Sequence, residues 1–232
     1  MRDELRRQLS RRRTLVLLAS AIVIPLGLAA IFAVRGAPEL ASGANPQLLN
    51  LAASSALAFT IFSLYMCGPL LMIAIAAAFA GDALASEASW GTLRYLLAAP
   101  IPRRRLLARK LTSALLLSAL ALGLLLITSL AAGLIAFGWH PLDTPTGGVL
   151  PAADGLVRLL IAVAYVFVTL VPFAVLALLF ATMLDTPLAA VGIAAGVAVV
   201  SQMVDVIPTL GAARSLLPTH FQLAWTDLFI DP

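Results

Sequence analysis

Few side chains in this 232-residue chain could do chemistry, and their spacing excludes most of it. His140 and His220 lie far apart in sequence, so they do not form a metal pair at ligand spacing. The single Cys67 sits inside an apolar run, which excludes an internal disulfide and any cysteine-based zinc site. Lys110 is not preceded by the glycine-rich pattern that cradles nucleotide phosphates. No Asp-rich or His/Glu cluster marks an intramembrane enzyme. Two polar sets remain. Ser201, Gln202 and Asp205 fall in the last long apolar run, with Ser201 one turn before Asp205. An ionisable group in such a run reads first as functional, here as the lining of a substrate path. The plainer alternative is an aspartate in interfacial water at a helix end before Pro208. The second set is "EASWGTLRYLLAAPIPRRRLLARK", residues 87 to 110, a polar and basic stretch between two apolar blocks.

The elements that must position these residues follow from composition. Hydrophobic residues make up 62% of the chain and charged residues 11%, against roughly 25% charged in an ordinary soluble domain. The mean hydropathy is +1.03. This is the composition of an all-α polytopic membrane protein, a single transmembrane domain over 1–232, helical throughout, with no length left for a soluble catalytic domain. A span needs about 20 apolar residues, and five blocks qualify: 14 to 34, 56 to 80, 111 to 137, 157 to 181 and 188 to 209. The first follows a basic amphipathic segment, 1–13, containing Arg11, Arg12 and Arg13, and the loop between the second and third carries Arg103, Arg104, Arg105, Arg109 and Lys110. These membrane-surface clusters belong in the cytoplasm, which places the amino terminus inside and the last stretch, 210–232, outside. Basic edges of this kind are topology signals, so a nucleic-acid partner is not expected. "SRRRTLVLLA" has the look of a twin-arginine export signal, but its apolar block is too long and the rest of the chain is itself membrane-embedded. Every base except Lys110 is arginine, which with the Ala and Leu richness points to a high-GC bacterial genome and a bacterial cytoplasmic membrane.

Within the loop, Asp82 after Gly81 suits a helix N-cap, and the stretch from Ala83 to Leu97 contains no proline. On a helix, Glu87, Trp90, Gly91 and Arg94 share one stripe at offsets of three, four and seven. Gly91 costs about 1 kcal/mol of helix propensity relative to alanine, and close approach of another surface is a reason for it. "APIP" then breaks the helix, and Pro102 suits the first position of the next. On these grounds alone, 82–110 is either a partner-docking helix or an interfacial anchor held by Trp90 and Tyr95.

The arrangement of Glu87, Gly91-Thr92-Leu93, Leu96-Leu97, Pro100, then Arg103 to Arg105 and Lys110 leading into a span resembles the permease subunits of ABC-2 type transporters. The likeness runs through the basic start, the long first outer loop, the proline-broken fifth span and "LLPTHFQLAWTDLF" at 216 to 229. It implies that 82–110 is a cytoplasmic coupling segment docking on a separate ABC ATPase subunit, with Glu87, Trp90, Gly91, Thr92, Leu93 and Arg94 as the coupling residues. It implies a second permease copy or homologous permease in the bilayer. It also implies that the chain binds no cofactor, ATP and Mg being held by the partner subunit, and that the cargo is exported. Members usually have six spans; five before Pro232 leave truncation, divergence or a differently placed last span open.

Gly192 and Gly196 form a small-xxx-small pattern that permits close helix contact, within the subunit or in a dimer. Pro69 and Pro172 each remove a helical hydrogen bond and can kink their spans. Two rival classes stand beside the permease: an ion-coupled carrier, which calls for buried acids and often internal repeats, and a membrane anchor or assembly factor, which needs only the topology.

Overall fold

The computed structural model describes residues 8, 11–35, 52–89, 103–143, 148–184 and 186–229, with the backbone alone at 35, 84–89, 103, 208 and 210. Among these residues five helical stretches are long and apolar enough to cross a membrane, and the chain is an all-α polytopic membrane protein. Helix α1 covers Arg12–Arg35. The second span is α2, Ala56–Cys67, a π-helical turn at Gly68–Met72, then α3, Ile73–Ser89. Helix α4 covers Arg103–Phe137, α5 Ala152–Met183 and α6 Pro187–Asp205. The third span thus starts eight residues before the apolar block does, because Arg104, Arg105 and Arg109 are helix-compatible and lie exposed on its first turns. At 1.5 Å per residue α4 is about 52 Å long and α6 about 28 Å, so α6 just matches a hydrocarbon layer and α4 overreaches it.

Two departures from a uniformly helical chain are visible. Leu142–Asp143 and Val149–Leu150 pair as a short antiparallel ladder, β1 and β2, with Leu142 opposite Leu150. Beyond α6 the backbone tightens into 3₁₀ turns at Pro208–Leu216, broken at Gly211, and at Ala224–Phe229. Of the two prolines marked as kinks, Pro69 lies in the π turn, where the missing amide is accommodated by a wider turn. Pro172 sits inside a continuous α5.

The described residues pack as two compact units. One draws on the first 17 residues, 70–121 and 167–222; the other on 18–69, 122–166 and 223–232. In the first, α3 packs along α6. Ala76, Ala77 and Ala80 are buried on α3, and Ala190, Ala194 and Ala198 mark one buried face of α6 at four-residue spacing. Small side chains let backbones approach where lipid supplies no hydrophobic drive. The tightest point is Gly81, where an added Cβ would stand 2.9 Å from Val191 Cγ2.

In the second unit, Phe59 packs against Phe32 and Phe137 at centroid distances of 6.1 and 5.5 Å, and Phe32 against Phe62 at 5.4 Å. Helix α2 is capped by Ser55, whose Oγ accepts from Ala58 N at 3.2 Å. Gly138, with φ of 76°, ends α4 in the left-handed conformation open to glycine, and its carbonyl accepts the first amide of α2, Ala56 N, at 3.0 Å. Buried Ser63 Oγ has no hydrogen-bond partner among the described residues, but other hydroxyls in the spans are satisfied by their own helices: Thr60 donates to Ala56 O, Ser118 to Ala114 O and Ser129 to Leu125 O, all within 2.9 Å. That removes the penalty a bare hydroxyl would carry in lipid.

Candidate functional site

Two polar clusters stand out in the first unit, and each is built on one aspartate. Asp82 is not a helix N-cap: α3 runs from Ile73 through Gly81 and Asp82 to Ser89. The cap reading failed because Gly-Asp is a common start signal, whereas this glycine serves the close approach to Val191. In mid-helix the carboxylate reaches sideways. Arg11 Nη1 donates to Asp82 Oδ2 at 3.1 Å and Arg13 Nη1 to Oδ1 at 3.4 Å, so each oxygen takes an arginine. The Asp82 and Arg11 side chains are 20% and 27% exposed, whereas Arg13 is 76% exposed, so the Arg11 contact is the better shielded of the two.

One residue further, Ala83 O accepts from Lys110 Nζ at 2.6 Å. Lys110 is only 3% exposed, so this bond to a carbonyl of α3 is what its buried ammonium is seen to hold. Buried Gln8 donates through Nε2 to Ser113 Oγ at 3.4 Å, and Ser113 donates in turn to Lys110 O at 2.9 Å. Residues before α1, within α3 and at the start of α4 therefore meet in one polar junction.

The second cluster joins α6 to the chain that follows it. Asp205 Oδ1 accepts from Arg214 Nε at 3.3 Å, and His220 Nδ1 lies 2.6 Å from the same oxygen. Ser201 Oγ and Thr219 Oγ1 are 2.6 Å apart, both buried, and Gln202 Nε2 donates to Gln222 Oε1 at 3.2 Å. Residues 201, 202 and 205 share the last turns of α6, so the three rungs form a seam along one helix face. The His220 ring stacks edge-on to Phe221 at 4.6 Å. The chemistry here is tethering. Ser201 is engaged by Thr219 and His220 by Asp205, and among the described residues no three His, Cys, Asp or Glu converge on a metal-sized point.

The positions singled out in the sequence divide accordingly. Ser201, Gln202 and Asp205 are brought together, each bonded to the 214–222 stretch. Glu87 lies in the last turns of α3 as backbone; its side chain, and Trp90, Gly91, Thr92, Leu93 and Arg94 entirely, lie outside the described residues. Arg103 opens α4; Arg12, Arg104 and Arg105 are exposed. The close contact expected of Gly192 and Gly196 is not made among the described residues, since a Cβ on either would meet nothing within 4 Å. Sequence reasoning missed Lys110 as a structural cation, and Arg214, Thr219, His220 and Gln222 as partners for α6. The available signal was that each is polar in or beside an apolar run, where a partner is nearly obligatory.

The model of the family described as ABC-2 family transporter protein matches residues 1–227, almost the whole chain. No curated protein and no solved structure gives a significant match. A match from the basic start, through both aspartate clusters, to the 3₁₀ turns after α6 shows that this chain belongs to the ABC-2 transporter family.

Proposed function

We propose that the chain is the permease subunit of an ABC exporter in a bacterial cytoplasmic membrane, driven by a separate ATPase that docks on 82–110. The observation that carries this is the family match across residues 1–227. ATP is bound with Mg and hydrolysed by the partner, and the permease supplies the path for a hydrophobic cargo such as a lipid or drug. The working unit is two permeases with two ATPases, the second permease being a copy or a homologue. The amino terminus is cytoplasmic. Supporting that orientation, the two basic clusters meet: Arg11 and Arg13 reach Asp82, and Lys110 reaches the next residue, Ala83. The positive-inside rule requires both to lie on one side. An ion-coupled carrier would need an acid poised to take its ion, whereas Asp82 and Asp205 are each held by cations.

The test is copurification of an ATPase with the tagged chain, and ATP hydrolysis by the complex, for Glu87→Arg and Gly91→Trp. Both variants should insert normally and lose ATPase binding. Lost charged hydrogen bonds are worth about 1.5 to 3 kcal/mol each where desolvated. If both variants keep the ATPase and its unmodified rate, 82–110 is an interfacial anchor.

A further inference from the structure

The polar junction around Asp82 lies where 82–110 leaves and re-enters the described helices. Lys110 Nζ on Ala83 O joins the outgoing strand of that segment to the returning one at their roots. Gln8 on Ser113 and Arg11 and Arg13 on Asp82 then fasten the start of α1 and the residues just before it to both roots. On its other side the α3 root is pressed against α6 at Gly81 and Val191. A load applied between residues 83 and 110 therefore reaches three helices through named polar contacts and a fourth through a glycine gap. Of these contacts, those at Asp82 are the ones in which a single carboxylate holds two side chains 71 and 69 positions away in sequence. The Asp82 side chain is only partly exposed, so losing either arginine would leave its charge less well compensated.

We propose that Asp82 is a positioning residue for energy coupling: a two-arginine clamp that makes the basic segment before α1 move with the root of the coupling segment. This rests on the permease reading given above. It predicts two separable effects. In the full-length chain in lipid nanodiscs, Asp82→Asn keeps the shape and the helix but removes the charge, and amide hydrogen exchange over residues 11–17 rises at least about fivefold, as loss of a coupling of ordinary size would give. Arg11→Ala does the same, Arg12→Ala, which removes an exposed charge beside it, does not, and the swap Asp82→Arg with Arg11→Asp restores protection. In the complex with its ATPase, Asp82→Asn leaves the ATPase bound but lowers the ratio of hydrolysis in the complex to hydrolysis by the isolated ATPase by roughly fivefold or more, and the swap recovers it.

Unchanged exchange in Asp82→Asn overturns the clamp. Raised exchange with an unchanged hydrolysis ratio reduces Asp82 to a structural tie and overturns the coupling role. A wild-type chain that shows the exchange pattern but binds no ATPase overturns the permease reading instead, and the coupling role with it. Because Asp82→Arg alone leaves three cations together and can fail to fold, the conservative Asn variant and the swap carry the result.

Discussion

Asp82 and Asp205 are the same chemistry in two settings. Each is a carboxylate that two side chains share, at least one of them an arginine. At Asp82 the partners are arginines from residues 11 and 13, far away in sequence; at Asp205 they are Arg214 and His220, nine and fifteen positions on. The first contact is made from the middle of a helix and joins separate elements, whereas the second closes a turn at a helix end and is reinforced by the Ser201 and Gln202 rungs. The difference concerns what is lost with the carboxylate. Opening the Asp205 seam frees one short stretch, 206–222, but opening the Asp82 clamp loosens elements whose approach no local chain geometry enforces and leaves the Gln8–Ser113 and Lys110–Ala83 bonds to hold the junction. Closing a short loop costs less entropy than closing a long one, so Asp205 needs its partners less than Asp82 does.

The sharpest way to break this comparison is to remove the helix pairing that underlies both sites. Gly81→Leu adds a side chain whose Cβ alone would stand 2.9 Å from Val191 Cγ2 and should cost about 1 to 3 kcal/mol or more, read as a drop in thermal stability in detergent, with loss of protection at both aspartates. Gly81→Ala should be milder and should be rescued by Val191→Ala. A Gly81→Leu variant as stable as the parent would mean that α3 and α6 do not meet there.

Next in size are the carboxylates themselves. Asp205→Ala should destabilise measurably but modestly, because the bonds it loses to Arg214 and His220 are partly screened by solvent. It should also raise proteolysis between residues 206 and 222 while leaving exchange near residues 11–17 unaltered. Asp82→Ala should show the reverse pattern. Identical footprints for the two would erase the distinction between local and long-range ties.

The seam can also be sharpened covalently. Ser201→Cys with Thr219→Cys places two sulfurs where hydroxyl oxygens are 2.6 Å apart, a separation compatible with a disulfide. Oxidation should give an internal bridge, read as a gel shift reversed by reductant, without loss of stability. Failure to bridge would show that residue 219 does not lie on α6. Smallest of all, Arg13→Ala should change stability by no more than about 0.5 kcal/mol, because its side chain is 76% exposed. Arg11→Ala should cost more, and equal losses would contradict the ranking by burial.

The spans were legible in the sequence because apolar length alone sets them; Pro69 and Pro172 read alike as kink sites, and only Pro69 lies in a π turn, a difference their shared lack of an amide proton does not make. The charged contacts were not. Nothing in "AFAGDALA" tells a helix start from a helix interior; that depends on whether Gly81 is wanted for a turn or for a close approach, and Val191 decides it from another helix. Asp205 was recognisable as a polar intruder, yet Arg214 lies in a 3₁₀ stretch and His220 in the turns after it, neither with a repeating period, so no pattern pointed to them. The Gly192 and Gly196 motif was read from spacing, and spacing does not say what faces it.

Lys110 has a use beyond its place in the polar junction. It is the only lysine in the chain, every other basic side chain being arginine, and it is 3% exposed. Amine-selective reagents therefore meet one side-chain target, and the fold hides it. Acylation at residue 110 requires the ammonium to leave Ala83 O and lose its proton in water, so the rate of modification is a native chemical clock for separation of α3 from α4. No label has to be engineered to read it.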